Sequence, residues 1–210
     1  MDKPSLHICN HPLTQNKLAH LRAKRTNSPR FSELVRELTW LLLPKAMEEL
    51  SLKTVEIETP LANAQCSIVD TRVGFFPIIR AGIPMGEAGQ QLLHSAKVYH
   101  FGFRRDEETQ VAAACSTNRP KSEDGIERCF VLDVMLATGG SAVLAVNFLK
   151  SWEFRKITYV AILASEQGIR TLHARHPDVP VFLAGLDPKL NDKGYIIPGL
   201  GDAGDRIYGT

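Results

Sequence analysis

The stretch CFVLDVMLATGGSAVLAVNFL, residues 129–149, decides the fold class. Its first half is an apolar run that reaches Asp133 and predicts a buried β-strand. The turn ATGGS follows, and the apolar spacing after it predicts a helix from about Ser141. A buried strand, a short turn and a helix form the repeating unit of an α/β domain.

The same alternation continues on both sides of this stretch. FFPII (75–79) precedes a glycine-punctuated helical segment to about Leu93, and KVYHFGF (97–103) follows. KITYVAIL (156–163) leads into a predicted helix over 166–176, and VPVFLAG (179–185) is the last apolar run. Strands of this apolar kind, separated by helices, indicate an α/β fold with a mainly parallel, buried sheet.

The remaining segments are read from local patterns. Two helices are predicted over 13–24 and 31–43, and Pro44 should end or kink the second. VEIETP (55–60) has the alternation of a strand. Residues 104–128 are polar and without clear periodicity, so they form either a mobile loop over a site or a hairpin.

Composition excludes several classes of protein. The 210 residues are 44% hydrophobic and 23% charged, which suits one soluble globular domain. A net charge of +2 gives no basic surface for nucleic acid. Apolar runs such as LTWLLLP are too short to span a bilayer, and the N-terminus has no signal-peptide core. Four scattered cysteines are typical of a reduced, cytoplasmic protein. From the charge and the short apolar runs, we expect neither a nucleic-acid nor a membrane partner.

The turn after the central strand has the features of a phosphate site. Gly139 and Gly140 allow close approach of the backbone, and the hydroxyls of Thr138 and Ser141 add hydrogen-bond donors. A helix N-terminus attracts phosphate, and no lysine follows the glycines as it does in ATPases. Asp133 would repel a phosphate and is better placed for sugar hydroxyls or a metal. The alternative is a plain strand–turn–helix connection with Thr138 as its cap.

These motifs resemble those of uracil phosphoribosyltransferases, type I enzymes that make UMP and pyrophosphate from uracil and phosphoribosyl pyrophosphate (PRPP). The matching motifs are HPL, VEIETP, PIIRAG, RDEET, LDVMLATGGSA and GYIIPGLGDAGDR. The resemblance implies a type I phosphoribosyltransferase fold, with helices flanking a mainly parallel sheet, a flexible loop or hairpin and a C-terminal base-binding hood. We expect a single domain with a helical arm (about 1–50), a PRPP-binding core (about 60–185) and a uracil-binding segment (about 186–210).

The resemblance also assigns roles to residues. The catalytic residues would be Asp133, Arg105 and Arg80, with the two arginines on pyrophosphate. PRPP would bind to these three and to Val134, Met135, Leu136, Ala137, Thr138, Gly139, Gly140, Ser141 and Asp202. Uracil would bind to Ile196, Gly201, Asp202 and Ala203. Mg²⁺ would be held mainly through PRPP rather than by protein ligands. We further expect a cytoplasmic homo-oligomer (a dimer or tetramer) of pyrimidine salvage, with GTP as an effector.

Two features allow other interpretations. GLGDAG (199–204) matches the dinucleotide fingerprint G-x-G-x-x-G, but the chain ends six residues after Gly204, which leaves no room for the helix that should follow. The segment after RDEET reads QVAAACSTNRPK, where the family commonly has a lysine that Arg119 or Lys121 would have to replace. Val134 also stands where the family usually has proline. The alternatives are therefore a PRPP- or UMP-sensing regulatory protein with weakened activity, and a phosphoribosyltransferase for another base.

Overall fold

The computed structural model describes residues 5–105 and 112–210, which form an α/β fold around one large sheet. The strands are β1 (Leu6–Ile8), β2 (Leu52–Glu58), β3 (Asn63–Val69), β4 (Val73–Ile79), β5 (Lys97–Val98), β6 (Phe101–Arg105), β7 (Ala112–Thr117), β8 (Arg128–Leu136), β9 (Ile157–Ser165), β10 (Val181–Asp187), β11 (Lys189–Leu190) and β12 (Ile196–Ile197). The helices are α1 (Pro12–Arg22), α2 (Ser28–Ala46), α3 (Ile83–Leu92), α4 (Gly140–Ser151), α5 (Glu166–Arg175) and α6 (Ala203–Tyr208).

The large sheet is mainly parallel, as the sequence predicts. Its strand order is β1-β10-β9-β8-β4-β6-β7, with β5 also paired to β4. The pair β6–β7 is antiparallel, whereas the other described pairs of this sheet are parallel. A βαβ connection leads from β8 through α4 to β9, and another leads from β9 through α5 to β10. The fold class predicted from the alternation of apolar strands and helices is therefore confirmed.

Apolar side chains cover both faces of the sheet. Residues alternate along β8, so that Phe130, Leu132 and Val134 join the core under α1 and α2, while Val131 joins the core under α4 and α5. The first core also includes Leu200 and other apolar residues of the C-terminal segment. Alternation with a period of two follows from the pleat of a strand. A sheet buried on both faces holds the ends of its strands rigidly, which is what a precise binding site requires.

The structure adds detail to the sequence predictions at three places. Pro44 does not end helix α2, which continues to Ala46, because a proline in the last turn removes only one hydrogen bond. VEIETP belongs to a two-stranded antiparallel hairpin, β2–β3, whose second strand the sequence did not reveal. The backbone of β6 and β7 forms an antiparallel pair, so the hairpin interpretation of the polar segment is the correct one there.

The C-terminal glycines also differ from expectation. Helix α6 begins at Ala203, directly after Asp202, and the sequence analysis did not predict this short helix. The Asp202 carboxylate accepts a hydrogen bond from the Asp205 N–H at 3.0 Å and caps this short helix. The helix occupies six residues, which is less than two turns. Among the described residues, no helix is long and apolar enough to cross a membrane.

Candidate functional site

The strand order of the sheet reverses between β4 and β8, and ligands of open α/β sheets bind at such a switch point. A cavity of about 1250 Å³ opens there, beyond the carboxyl ends of these strands. It is lined by residues from six chain segments: 78–81, 103, 133–141, 167, 190–196 and 201–204. The topology therefore brings the strand-end motifs and the C-terminal motif to one cavity, although they lie far apart in the sequence.

The turn between β8 and α4 has the backbone of an anion site. Gly139 has φ of +88°, and a Cβ there would lie 2.7 Å from Thr171 and 2.9 Å from the Gly168 carbonyl. Helix α4 begins at Gly140, and Gly139 rather than Thr138 is its N-cap, without a side-chain cap bond. Thr138 is therefore not the capping residue of a plain connection. Its side chain lines the cavity, together with Ala137 and Ser141.

Ser165, at the end of β9, holds this turn from below. Its hydroxyl donates to the Ala137 carbonyl at 2.6 Å and accepts from the Gly168 N–H at 2.8 Å. The residue is fully buried, so both bonds are protected from water. This turn, residues 137–141 and called the phosphate turn below after its predicted role, is thereby fixed to the start of α5 before any ligand binds, which is the preorganisation that a binding site needs.

Asp133 lies in β8 with its side chain lining the cavity. The hydroxyl of the fully buried Tyr159 lies 3.5 Å from Asp133 Oδ2. Burial, followed by the nearby Asp133 carboxylate, raises the pKa of Tyr159 well above its ordinary value. Tyr159 therefore stays a neutral donor beside a carboxylate. The Tyr159 hydroxyl thus helps to orient the Asp133 carboxylate, whose oxygens can accept hydrogen bonds from sugar hydroxyls.

Arg80 follows β4 and lines the cavity from the opposite side. Its side chain is 56% exposed and forms an ion pair with Asp205, at 3.1 Å between Nη2 and Oδ1. The guanidinium carbon also lies 5.7 Å from the ring centre of Tyr208. Arg80 therefore forms an ion pair, but its side chain is exposed rather than buried. An exposed pair of this kind is weak enough to yield to a polyanion.

The C-terminal segment supplies the far wall of the cavity. Asn191 Oδ1 accepts from the N–H groups of Lys193 and Tyr195, at 3.0 and 2.9 Å, and so shapes a turn. Gly194 of this turn packs against Thr138, since a Cβ there would lie 3.4 Å from Thr138 Cγ2. The turn thus lies beside the phosphate turn, and Lys193 lines the same cavity.

The structure brings most of the predicted site residues together at this cavity. Those that line it are Arg80, Asp133, Met135, Ala137, Thr138, Ser141, Ile196, Gly201, Asp202 and Ala203. Four do not line it. Val134 and Leu136 are buried in the two cores, and Gly139 and Gly140 form the start of α4. The side chain of Arg105 lies outside the described residues. Arg119 and Lys121, considered as substitutes for a lysine, do not line the cavity either.

Sequence reasoning missed several residues at or beneath the cavity, among them Lys193, Gln167 and Tyr159. Lys193 and Gln167 line the cavity, and Tyr159 supports Asp133 from the neighbouring strand. The signal for Lys193 was present, because it belongs to NDKG, a polar turn directly before the C-terminal motif. Tyr159 gave no such signal, since an aromatic residue in an apolar strand is typical of the core.

Comparison with solved structures defines the class of the protein. The chain superposes on the AQ2163 protein from Aquifex aeolicus with a TM-score of 0.89 and 31% identity, over 97% of both chains. It superposes on an adenine phosphoribosyltransferase from Trypanosoma brucei with a TM-score of 0.59 and 14% identity, over 96% and 92% of the two chains. The second likeness concerns the fold alone. The architecture is that of a type I phosphoribosyltransferase.

Sequence comparison identifies the family. The model of the uracil phosphoribosyltransferase family matches residues 8–210. The chain is 46% identical over 203 residues to a uracil phosphoribosyltransferase of Roseiflexus sp. (strain RS-1), over 97% of both chains. It is 45% identical over 204 residues to one of Streptococcus mutans, again over 97% of both. The chain therefore belongs to the uracil phosphoribosyltransferase family, a family of pentosyltransferases.

Proposed function

We propose that this protein transfers the phosphoribosyl group of PRPP to uracil and so forms UMP and pyrophosphate for pyrimidine salvage. One observation carries the proposal beyond family membership: the phosphate turn, the strand-end acid and the C-terminal glycine segment line one cavity. A site for a phosphorylated sugar and a site for a planar base are then adjacent, as a transfer between them requires.

The chain's own residues would act mainly by binding and orientation. The backbone N–H groups at the start of α4, with Thr138 and Ser141, would hold the 5′-phosphate. Asp133 would accept hydrogen bonds from the ribose hydroxyls. The C-terminal segment, with Ile196 and Gly201–Ala203, would hold uracil by its acceptor–donor–acceptor edge and aim N1 at the anomeric carbon. The bond from that carbon to pyrophosphate breaks as the bond to N1 forms, so a nucleophilic side chain is unnecessary.

Arg80 would neutralise charge that develops on the leaving pyrophosphate. To do so it would exchange Asp205 for phosphate oxygens, and the exposure of the Arg80–Asp205 pair makes this exchange inexpensive. Arg105 is proposed for the same task. Lys193 is a further cation among the described residues of the cavity wall, and its turn packs against Thr138. We assign it to the 5′-phosphate, because the phosphate turn has no lysine of its own.

Mg²⁺ belongs to the same proposal, because the donor set of the cavity suits an ion that PRPP carries. Among the described residues, no group of three or more histidine, cysteine, aspartate or glutamate side chains could hold a metal. In the part of the chain that the structure describes, the carboxylates that line the cavity are Asp133, Asp192 and Asp202. Phosphate oxygens would supply most ligands, with Asp133 as the protein group at the ribose. When bound, the ion would reduce the negative charge of the pyrophosphate.

Assembly, location and regulation complete the proposal. The hairpin β2–β3 has two strands that are mostly exposed, and a two-stranded hairpin is marginally stable alone in water. Its exposed apolar side chains include Leu52, Ile57, Leu61, Ile68 and Val69, which supports a homo-oligomer, either a dimer or a tetramer. Sedimentation velocity measures its size. A cytoplasmic location and GTP as an effector stay predictions, and calorimetry with GTP tests the second.

The test is UMP formation from uracil and PRPP with Mg²⁺, on wild-type protein and on Asp133→Asn. We expect turnover by the wild type and its loss in the variant, because an amide cannot replace both acceptor oxygens of a carboxylate. Absence of UMP with folded wild-type protein would favour the regulatory alternative. Replacing uracil by cytosine or a purine base tests the alternative of another substrate. Full activity of Asp133→Asn would refute the role of this residue.

A further inference from the structure

The base turn, defined as residues 199–203, is held by arginines that lie outside the cavity. It connects Pro198 to helix α6, and its last three residues line the cavity. In the proposed function this turn recognises uracil with backbone groups. Backbone donors and acceptors recognise a base only when their directions are fixed, since hydrogen bonds weaken steeply with angle. What fixes the turn therefore determines the base site.

Arg22, the last residue of α1, is hydrogen-bonded to the start of the base turn. Its Nη1 donates to Asp187 Oδ2 at 2.7 Å and to the Gly199 carbonyl at 2.9 Å. Its Nη2 donates to Asp187 Oδ1 at 2.7 Å. Asp187 Oδ2 in turn accepts from the Gly199 N–H at 2.9 Å. Both backbone polar groups of Gly199 are therefore bound by one bidentate ion pair, the strongest arrangement of this type.

The ion pair is shielded from water. The side chain of Asp187 is 7% exposed and that of Arg22 is 25% exposed. Burial alone would raise the pKa of Asp187, but the hydrogen bonds from Arg22 and Gly199 outweigh it and lower the pKa. The carboxylate thus stays ionised, and Arg22 is its charged partner. Removing Arg22 would leave a buried carboxylate that competes for other donors.

Arg206 completes the attachment from the other side of the turn. Its Nη1 donates to the carbonyls of Leu200 and Leu21, at 2.9 and 2.8 Å, and its Nη2 donates to Ala23 at 2.7 Å. Its guanidinium also lies over the ring of Phe31, at 4.4 Å from the centre. Leu21 and Ala23 lie at the carboxyl end of α1, where helix carbonyls lack partners. The base turn is thus bound to α1 at two successive residues.

We propose that Arg22 is a positioning residue for the base: through Asp187 and Gly199 it fixes the base turn and makes helix α1 part of the uracil site. The inference rests on the proposed function, and it goes beyond the residues that contact substrate. Arg22, Asp187 and Arg206 do not line the cavity. They act through Gly199 and Leu200, which lie between Ile196 and Gly201 in the chain.

A positioning role predicts a selective defect. The phosphate turn is fixed by Ser165 and α5, and these contacts do not involve Arg22. Loss of Arg22 should therefore weaken the binding of uracil and leave the binding of PRPP unaffected. General destabilisation of the fold would weaken the binding of both substrates to a similar extent. The ratio of the two effects distinguishes a positioning residue from a residue that only supports the fold.

The experiment compares Arg22→Ala and Arg22→Lys with Arg25→Ala, an exposed arginine on the connection between α1 and α2. We expect Arg22→Ala to raise KM for uracil roughly ten- to hundredfold, from the loss of charged hydrogen bonds, with KM for PRPP changed less than about twofold. Lysine should restore part of the loss, because it keeps the charge opposite Asp187 but lacks the guanidinium fork. Arg25→Ala should match the wild type.

A binding measurement separates this inference from the proposed function. Calorimetry should give weaker UMP binding by Arg22→Ala and unchanged ribose 5-phosphate binding. An equal rise of both KM values, or an unchanged KM for uracil, would overturn the positioning role. If Arg22→Ala does not fold, Arg22→Lys decides by the same ratio. If the wild type forms no UMP, the proposed function fails, and the calorimetric comparison still tests Arg22.

Discussion

Replacing Gly199 with alanine tests the geometry of the base turn directly. Gly199 has φ of +61°, and a Cβ at this position would lie 2.0 Å from the Ile196 carbonyl oxygen. Ordinary contact begins at 3.4 Å, so the two groups must separate by about 1.4 Å. The obstacle is backbone, which cannot rotate away as a side chain does. Gly199 or Ile196 must therefore move, and Ile196 lines the proposed base site.

The cost can be estimated by comparison with Gly209→Ala. Gly209 has φ of +72° and ends α6, but its added Cβ would only touch Ser28 Oγ at 3.4 Å. This control carries the left-handed strain alone, about 1 kcal/mol after the entropy gain of alanine in the unfolded chain. Gly199→Ala adds an overpacking cost of about 1–3 kcal/mol. We therefore expect about 2–4 kcal/mol for Gly199→Ala.

Thermal unfolding at one protein concentration measures the difference. For a chain of this size, about 1 kcal/mol shifts Tm by roughly 2–4 °C, so we expect a fall of about 4–16 °C for Gly199→Ala and about 2–4 °C for Gly209→Ala. Steady-state kinetics below the new Tm should give a raised KM for uracil in the first variant alone. Equal shifts in Tm, or an unchanged KM for uracil, would refute the assigned geometry of the turn.

Three further predictions concern acid stability and the two substrates. The folded pKa of Asp187 lies below its ordinary value of 3.8, so its ion pair stabilises the fold above that pH and is lost as the pH falls below it. The free energy of unfolding, measured with urea, should therefore fall more steeply between about pH 4 and pH 2 for the wild type than for Asp187→Asn. Parallel curves for the two proteins would contradict this. Lys193→Ala should raise KM for PRPP and weaken inhibition by UMP severalfold, with inhibition by pyrophosphate unchanged. Lys189→Ala is the control. If inhibition by pyrophosphate weakens to the same extent, Lys193 contacts the pyrophosphate rather than the 5′-phosphate. Asp202→Ala should impair use of uracil while binding of the 5′-phosphate persists, and calorimetry with each ligand would count against it if both were lost together. Asp202→Asn, which retains the helix cap, is the matched control.

Local patterns were sufficient for the fold class and for the strand, glycine turn and helix around residues 133–141. A strand that ends near Asp133, a glycine turn and a helix from Ser141 follow from apolar spacing and from glycine, because these signals act between near neighbours in the chain. The observed helix begins at Gly140, one residue earlier. The motif GYIIPGLGDAGDR indicated the base segment by resemblance, although its helix α6 was not anticipated.

Contacts between distant segments could not be read in this way. Arg22 and Asp187 are 165 residues apart, and neither has a neighbour in sequence that indicates the other. Tyr159 reaches Asp133 because β9 pairs with β8 in a particular register. Lys193 lies beside the phosphate turn because the C-terminal segment folds back over the sheet.

The sequence by itself determined the class of fold, the position of the strand-end acid and of the glycine turn after it, and the family. These depend on local spacing and on backbone conformations that few residue types other than glycine accept. Only the tertiary structure decided which residues hold the base turn in place. That choice depends on the order and register of the strands, which bring the carboxyl end of α1, the end of β10 and the base turn to one point.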